Sequence, residues 1–304
     1  MADIILHHFD LSPFAEKIRK VFGIKDIAWK SVEIPMVMPK PDLTALTGGY
    51  RKTPVMQIGA DIYCDTQIIA QKVDALFPDP PLFKSGSLIN TGLQQWSDAA
   101  FFPPGAGLSL FENAEHIPEA VSKDREDYFT FLDFEKFSQD APHFRSQFRA
   151  HAALIEEQLS DGRSFLCGEA PEWTDIGAYF NVWMAGGNIP SAARMLETFE
   201  RLHAWRARMD EFSDGTRAEI SACEAIDIAK AASPAALPKS AADESAAALQ
   251  GLVTVTPEDH GKVPVEGKLL AINDREIVIL RNDARAGDVA IHFPRIGYRV
   301  TPVS

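Results

Sequence analysis

The alternation of short apolar runs with helical periods in the first eighty residues is what most restricts the fold. Ile4-Ile5-Leu6 is too short for a helix and ends at His7-His8. Ser12-Pro13 then reads as N-cap and first helical residue, since serine accepts a helix N–H there and proline needs none to donate. Phe14, Ile18, Val21 and Phe22 recur at helical spacing until Gly23. Residues 29–34 alternate and predict a second strand. Three prolines within residues 35–41 predict an irregular segment. Val55–Ile58 and Asp61–Cys64 flank Gly59-Ala60 as a hairpin. Asp65-Thr66 opens a further helix that Phe77-Pro78 closes.

The order β-α-β-(irregular or short helix)-β-β-α predicts an α/β thioredoxin-like domain over residues 1–80. Asp79-Pro80-Pro81 reads as a stiff linker. Residues 88–222 read as an all-α second domain, with amphipathic stretches at 88–100, 145–159, 176–185 and 192–211. Pro103-Pro104-Gly105 is expected to break the first of these. Trp173, Trp183 and Trp205 supply bulk. Residues 223–248 read as an Ala-rich linker with some helix. Residues 249–304 read as a small C-terminal β segment, either its own domain or appended to another sheet. Its expected strands are 252–255, 268–272, 276–280, 289–293 and 298–303, with a turn at Asn273-Asp274.

Composition limits the function classes. With 304 residues, 46% hydrophobic and 24% charged, the chain can bury a sizeable core without staples. The net charge of −13 argues against nucleic acid or an anionic membrane as the main partner. That charge is uneven. Residues 1–80 hold 9 basic and 10 acidic side chains, residues 81–222 hold 12 and 22, and residues 223–304 hold 9 and 11. The N-terminal part is therefore nearly neutral, with Lys40, Arg51 and Lys52 available to an anion. Cys64, Cys167 and Cys223 are sparse and unpaired in spacing, which fits a reducing compartment and gives no zinc pattern. No metal is expected. The N-terminus lacks the basic and apolar regions of a signal peptide, and no apolar run is long enough for a membrane span. A cytoplasmic location is expected.

Three motifs carry the chemistry. Ser12 follows a strand and opens a helix, where unpaired N–H groups and the helix dipole favour an anion. Its hydroxyl can donate to a thiolate as well as cap. Thr53-Pro54 enters a strand, and a cis bond there would turn the Thr53 backbone N–H and C=O toward an extended peptide. Asp65-Thr66 can cap a helix, or take an ammonium on the carboxylate and a neighbouring carboxylate on the hydroxyl and helix N–H groups. Together they suit a short peptide with a thiol, an extended backbone and an amino-acid head.

These motifs resemble those of the glutathione transferases, well over residues 3–78 and more loosely over 88–212. Ser12-Pro13-Phe14-Ala15 is similar to the Cys-Pro-Phe-Ala of omega-class members, with serine for cysteine. Its place five residues before Lys17 matches the catalytic serine of zeta-like members. Thr53-Pro54 resembles the family's Val-Pro pair, whose proline is cis. Asp65-Thr66 resembles the Glu-Ser or Gln-Ser pair that holds the γ-glutamyl head. Lys40 matches a lysine that holds the glycyl carboxylate in omega-like members, with Arg51 as the alternative. Phe165-Leu166-Cys167-Gly168-Glu169, followed by Trp173-Thr174-Asp175-Ile176, resembles the Phe-Leu-x-Gly-Asp loop and its capped, buried helix. Here Glu172 stands where Ser or Thr is usual.

The resemblance implies glutathione as co-substrate, with Ser12 holding its thiolate and Phe14, Lys40, Arg51, Thr53, Pro54, Asp65 and Thr66 binding the rest. It implies a small electrophilic second substrate near Phe9, Leu11, Trp96, Phe101 and Phe102, and a homodimer. Serine in place of cysteine disfavours mixed-disulfide chemistry. Glutathione-dependent isomerisation, ether or halide cleavage, and a non-enzymatic binding or assembly module are the alternatives. A serine hydrolase is rejected, since no Gly-x-Ser-x-Gly elbow surrounds Ser12. His7 and His8 are expected on opposite faces of the first strand, one buried and one near the ligand loop.

Overall fold

In the computed structural model, which describes residues 3–237, 249 and 251–303, the chain divides into two units. One comprises Met1–Ile18, Asp26–Val73 and Gly215–Ser304; the other comprises Arg19–Lys25 and Asp74–Asp214.

The first unit is built on one ten-stranded sheet. Its strand β1 (Ile4–His8), flanked by strands on both sides, is buried at every residue, as a strand covered on both faces must be. Helix α1 (Pro13–Ile24) returns the chain to β2 (Ala28–Glu33), which pairs with β1 in parallel. Helix α2 (Pro41–Thr47) leads to the hairpin of β3 (Val55–Ile58) and β4 (Asp61–Cys64), and β3 pairs antiparallel with β1. Helix α3 (Thr66–Leu76) follows. This is the expected thioredoxin-like order.

Two short elements lie beyond that plan. β5 (Thr216–Glu219) pairs in parallel with β2. Helix α11 (Ala222–Ala231), closed at its start by a reciprocal Ser221–Glu224 capping box, buries Ala225, Ile226 and Ala229. Residues 223–231, at the start of the stretch read from sequence as a linker with some helix, are thus a packed helix. Its small residues let it sit close on α2 and the sheet, which an Ala-rich composition alone does not reveal. Residues 238–248 of that expected linker lie outside the described residues.

The C-terminal β segment joins the same sheet. Its strands are β6 (Leu252–Pro257), β7 (Val265–Ile272), β8 (Glu276–Asp283), β9 (Gly287–Pro294) and β10 (Tyr298–Pro302). The order is β10-β6-β7-β8-β9-β4-β3-β1-β2-β5. Ile62 faces Ile291 across the parallel β4–β9 seam. The Asn273-Asp274 turn falls between β7 and β8 as expected, with the Asn273 side chain accepting the N–H groups of Arg275 and Glu276. β10 is five strands from β4, which in a flat sheet is roughly 24 Å at the usual strand spacing. Yet the Tyr298 hydroxyl lies 3.0 Å from Asp65, just past the end of β4. The five strands therefore curl back on themselves. The space they enclose is a single apolar core in which Leu43 and Leu46 of α2 and Ile226 of α11 meet Val253, Ile279 and Phe293.

The β4–β9 seam holds a buried charge cluster. The His292 ring is bonded at both nitrogens, 3.2 Å from an Asp61 oxygen and 3.2 Å from a Glu276 oxygen. It stacks on Tyr63, ring centroids 4.5 Å apart, and the Lys72 ammonium lies over the Tyr63 ring. Burial alone lowers the His292 pKa, but the two carboxylates outweigh it and hold it above its ordinary value. An imidazolium paired on both sides is the species this geometry stabilises.

The second unit is helical: α4 (Ser87–Trp96), α5 (Phe102–Glu112), α6 (Glu119–Tyr128), α7 (Phe137–Gln158), α8 (Trp173–Asn188), α9 (Ala192–Leu196) and α10 (Glu200–Asp210). Pro103-Pro104-Gly105 does not break a helix here. The two prolines occupy the first turn of α5, where no N–H is needed, after a wide turn at Ser97–Phe101. The small Gly105 lets Met184 and Phe148 approach. Asp175 is the polar hub. Its carboxylate accepts the N–H groups of Leu166 and Glu172 and the indole N–H of Trp205. Burial pushes its pKa up to about 6 against those donors. Glu172 and Asp175 form a capping box at the start of α8, and the Glu172 carboxylate also takes the Ser85 backbone N–H and hydroxyl, both at 2.8 Å. No helix among the described residues is long and apolar enough to cross a membrane.

Candidate functional site

Strand directions bring the motifs to one end of the sheet. β1 ends at His8, beside Glu33 at the end of β2. The antiparallel β3 begins there, with Val55 opposite His7, and β4 ends there, with Cys64 opposite Val55. Residues 9–12, the segment up to Lys40, Thr53-Pro54 and Asp65-Thr66 all emerge at this edge. Helices α1 and α3 begin there as well.

Ser12 is 3% exposed. Its Oγ accepts the Ala15 N–H at 3.2 Å, so it caps α1. A serine hydroxyl has one proton and two lone pairs. The cap uses a lone pair and leaves the proton to donate. Phe14 lies under the Lys17 ammonium, 5.3 Å from the ring centre. Lys40 is buried, 3.2 Å from the Thr53 hydroxyl and 5.7 Å from the centre of the Phe9 ring. These two contacts bring Phe9, Lys40 and Thr53 together. The Thr53–Pro54 bond is cis. Arg51 is half-buried in the same loop, and Leu11 is 59% exposed.

Asp65 has a φ of 102°, a left-handed conformation that a residue with a side chain seldom adopts. Its Oδ1 accepts the Gln67 N–H at 2.9 Å at the start of α3. Thr66 beside it is buried. The other oxygen, Oδ2, accepts the Tyr298 hydroxyl, and that hydroxyl is 2.8 Å from the Tyr50 hydroxyl. Nearby, Lys52 pairs with Asp259 and lies over the Tyr298 ring at 5.9 Å. Tyr50, Asp259 and Tyr298 carry no signal in the sequence. Their place depends on the curl of the sheet.

Both histidines of β1 are buried, in place of the one expected. The Gln57 amide donates to the carbonyls of Gly59 and Ala225, so its oxygen faces His7 and accepts the His7 Nε2–H at 2.9 Å. Burial lowers the His7 pKa to about 4, outweighing that bond. His8 lies 3.1 Å from the Ser31 hydroxyl and edge-on to Trp29. The two are internal struts of the sheet.

The remaining aromatic positions lie in the helical unit. Phe101 is fully buried against Trp96, Phe148 and His151, and Phe102 packs against Phe129, Phe131 and Phe180. The Trp96 indole N–H donates to the His151 Nδ1 at 3.0 Å. Among the described residues no group of three or more His, Cys, Asp or Glu is placed to hold a metal ion.

A thioredoxin-like sheet with a helix-capping serine, a cis-proline loop and an acidic residue before α3, together with an all-helical unit, defines a class. Comparison with known proteins gives the family. Residues 6–81 match the glutathione S-transferase N-terminal domain, and residues 114–208 match its C-terminal domain. A GST-like protein from Pseudomonas syringae is 35% identical over the whole of both chains, with a TM-score of 0.83. The chain belongs to the glutathione S-transferase family. Glutathione S-transferase U4 of Arabidopsis thaliana is 24% identical over 141 residues, which span 45% of this chain and 62% of that protein. A glutathione S-transferase from Rhodospirillum rubrum shares the fold, with a TM-score of 0.52 at 18% identity, over 68% of this chain and 87% of that one.

Proposed function

We propose that this protein is a glutathione transferase in which Ser12 activates the thiol for attack on a small electrophile. The observation that carries this reading is the Ser12 hydroxyl, buried at the start of α1 with its proton not used by the cap. Donation to the sulfur, together with the first N–H groups of a twelve-residue helix, favours the thiolate over the thiol. This is electrostatic stabilisation of a nucleophile rather than base catalysis, because serine itself takes no proton. Lys40, or alternatively Arg51, would receive the glycyl carboxylate, Thr53 the peptide backbone, and Asp65 and Thr66 the γ-glutamyl head. The nearly neutral N-terminal part, with Lys40 and Arg51 at this edge, suits an anionic tripeptide. The thiolate forms a bond to an electrophilic carbon and the leaving group departs with its electron pair. Isomerisation or ether cleavage would use the same activated thiolate. The protein would act in the cytoplasm, as a homodimer.

The test is Ser12→Ala with glutathione and an activated aryl halide. Loss of one donor to a developing or held anion costs about 10²–10³-fold in rate. Turnover should fall by that order while glutathione affinity changes little. The thiolate absorbance of bound glutathione should also appear at higher pH than in wild type. Unchanged turnover would remove Ser12 from the mechanism. Binding of glutathione with no turnover by wild type would favour the binding module.

A further inference from the structure

We propose that Tyr298, on the C-terminal β extension, is a positioning residue for the amino-acid head of the ligand, acting through the Asp65 carboxylate. The inference rests on the glutathione-binding role proposed for Asp65. Tyr298 is 4% exposed and its hydroxyl is 3.0 Å from Asp65 Oδ2. An ionised carboxylate only accepts, so the single Tyr298 proton goes to Asp65. The Tyr50 hydroxyl, 2.8 Å from that of Tyr298, must then be the donor of the pair. The relay runs from Tyr50 to Tyr298 to Asp65, and its direction is fixed by the charge at its end. Burial first, and the Asp65 charge second, push the Tyr298 pKa well above its ordinary value, so the hydroxyl keeps its proton.

The carboxylate is thereby held at two points. Oδ1 accepts the Gln67 N–H and Oδ2 accepts Tyr298. Of its roughly four lone-pair positions, two remain for an ammonium group. The residue stands at a φ of 102°, outside the usual range, so the side chain gains from being fixed at both ends. Lys52, which would repel an ammonium, has its charge offset by an ion pair with Asp259 on the same extension. Residues 249–304 thus complete the head-group end of the site.

The test compares glutathione with cysteinylglycine, which lacks the γ-glutamyl head. In Tyr298→Phe the dissociation constant for glutathione should rise about 10-fold, as expected for loss of one hydrogen bond to a charged group. Cysteinylglycine binding should not change, and kcat at saturating glutathione should stay within a factor of about two. Tyr50→Phe, which leaves the Asp65 contact in place, should weaken glutathione less and in the same direction. In an Asp65→Ala background, which removes the acceptor of the Tyr298 hydroxyl, Tyr298→Phe should have no further effect, which a merely structural role would not produce. Equal weakening of both ligands, or additive effects in the double variant, overturns the proposal. A wild-type protein that binds no glutathione overturns the reading beneath it as well.

Discussion

The two halves of the ten-stranded sheet are built by different rules. In the half that carries the motifs, β1, β3 and β4 are buried nearly throughout, because helices cover both faces. In the extension, β6 and β7 alternate between buried and exposed residues, so one face meets the core and the other meets water. The first half is packed on both faces and places loops at its edge. The second is a curled antiparallel sheet whose inner face closes over α2 and α11. Changes in the first half should alter chemistry, and changes in the second should alter stability and the supports of the site.

The largest effect expected is a change of reaction. Ser12→Cys should form a mixed disulfide with oxidised glutathione: the introduced thiolate bonds one sulfur and one glutathione leaves as thiolate. Intact-mass measurement reads the added glutathione, and its absence would place residue 12 away from the bound sulfur. Next comes a core substitution in each half. Ile62→Ala in β4 and Ile279→Ala in β8 each remove a fully buried side chain, at about 2–5 kcal/mol. Because both belong to one apolar cluster, Ile279→Ala should lower amide-exchange protection in β3 and β4 as well as in β8 and β9. Loss confined to the extension would mean that the two halves open independently.

A smaller effect lies in pH. The raised His292 pKa gives stability that is full below its ordinary value of about 6.5 and is lost as pH rises through the raised value. Glu276 is held below its ordinary value by its bond to His292, against burial. Its contribution is full above about 4.5 and is lost as pH falls through the lowered value. The β4–β9 seam should therefore be tightest between those two limits. The difference in thermal midpoint between wild type and His292→Gln, followed across pH, should peak there and shrink on the alkaline side. A difference that does not vary with pH would mean that His292 stays neutral. The least effect is expected from Arg285→Ala, which breaks an exposed pair with Asp42. It should leave the midpoint unchanged.

Much of the first half is legible in the sequence because its signals are local. Gly59-Ala60 between two apolar runs marks the β3–β4 hairpin, and Ser12-Pro13 marks the start of α1. The misses each have a physical reason. β5 is exposed at all four residues and has no apolar period to read. The Ala-rich composition allows some helix at α11 but does not show that its alanines serve close packing. Pro103-Pro104 reads as a breaker because its position within a helix depends on the turn before it. The Tyr298–Asp65 contact joins residues 233 positions apart. It exists only because five strands curl, and no local pattern encodes that curl. Lys40 and Thr53, by contrast, are 13 residues apart, and their own motifs name them.

The pairing of β4 with β9 also has a consequence for the order of synthesis. The sheet begins with residue 4, yet the strand that covers β4 is not complete until residue 294. On the ribosome, β4 remains an open edge while the whole helical unit is made. An open apolar edge invites pairing with other chains. The β4 edge therefore stays open to such pairing throughout that interval, until β9 emerges to close the seam.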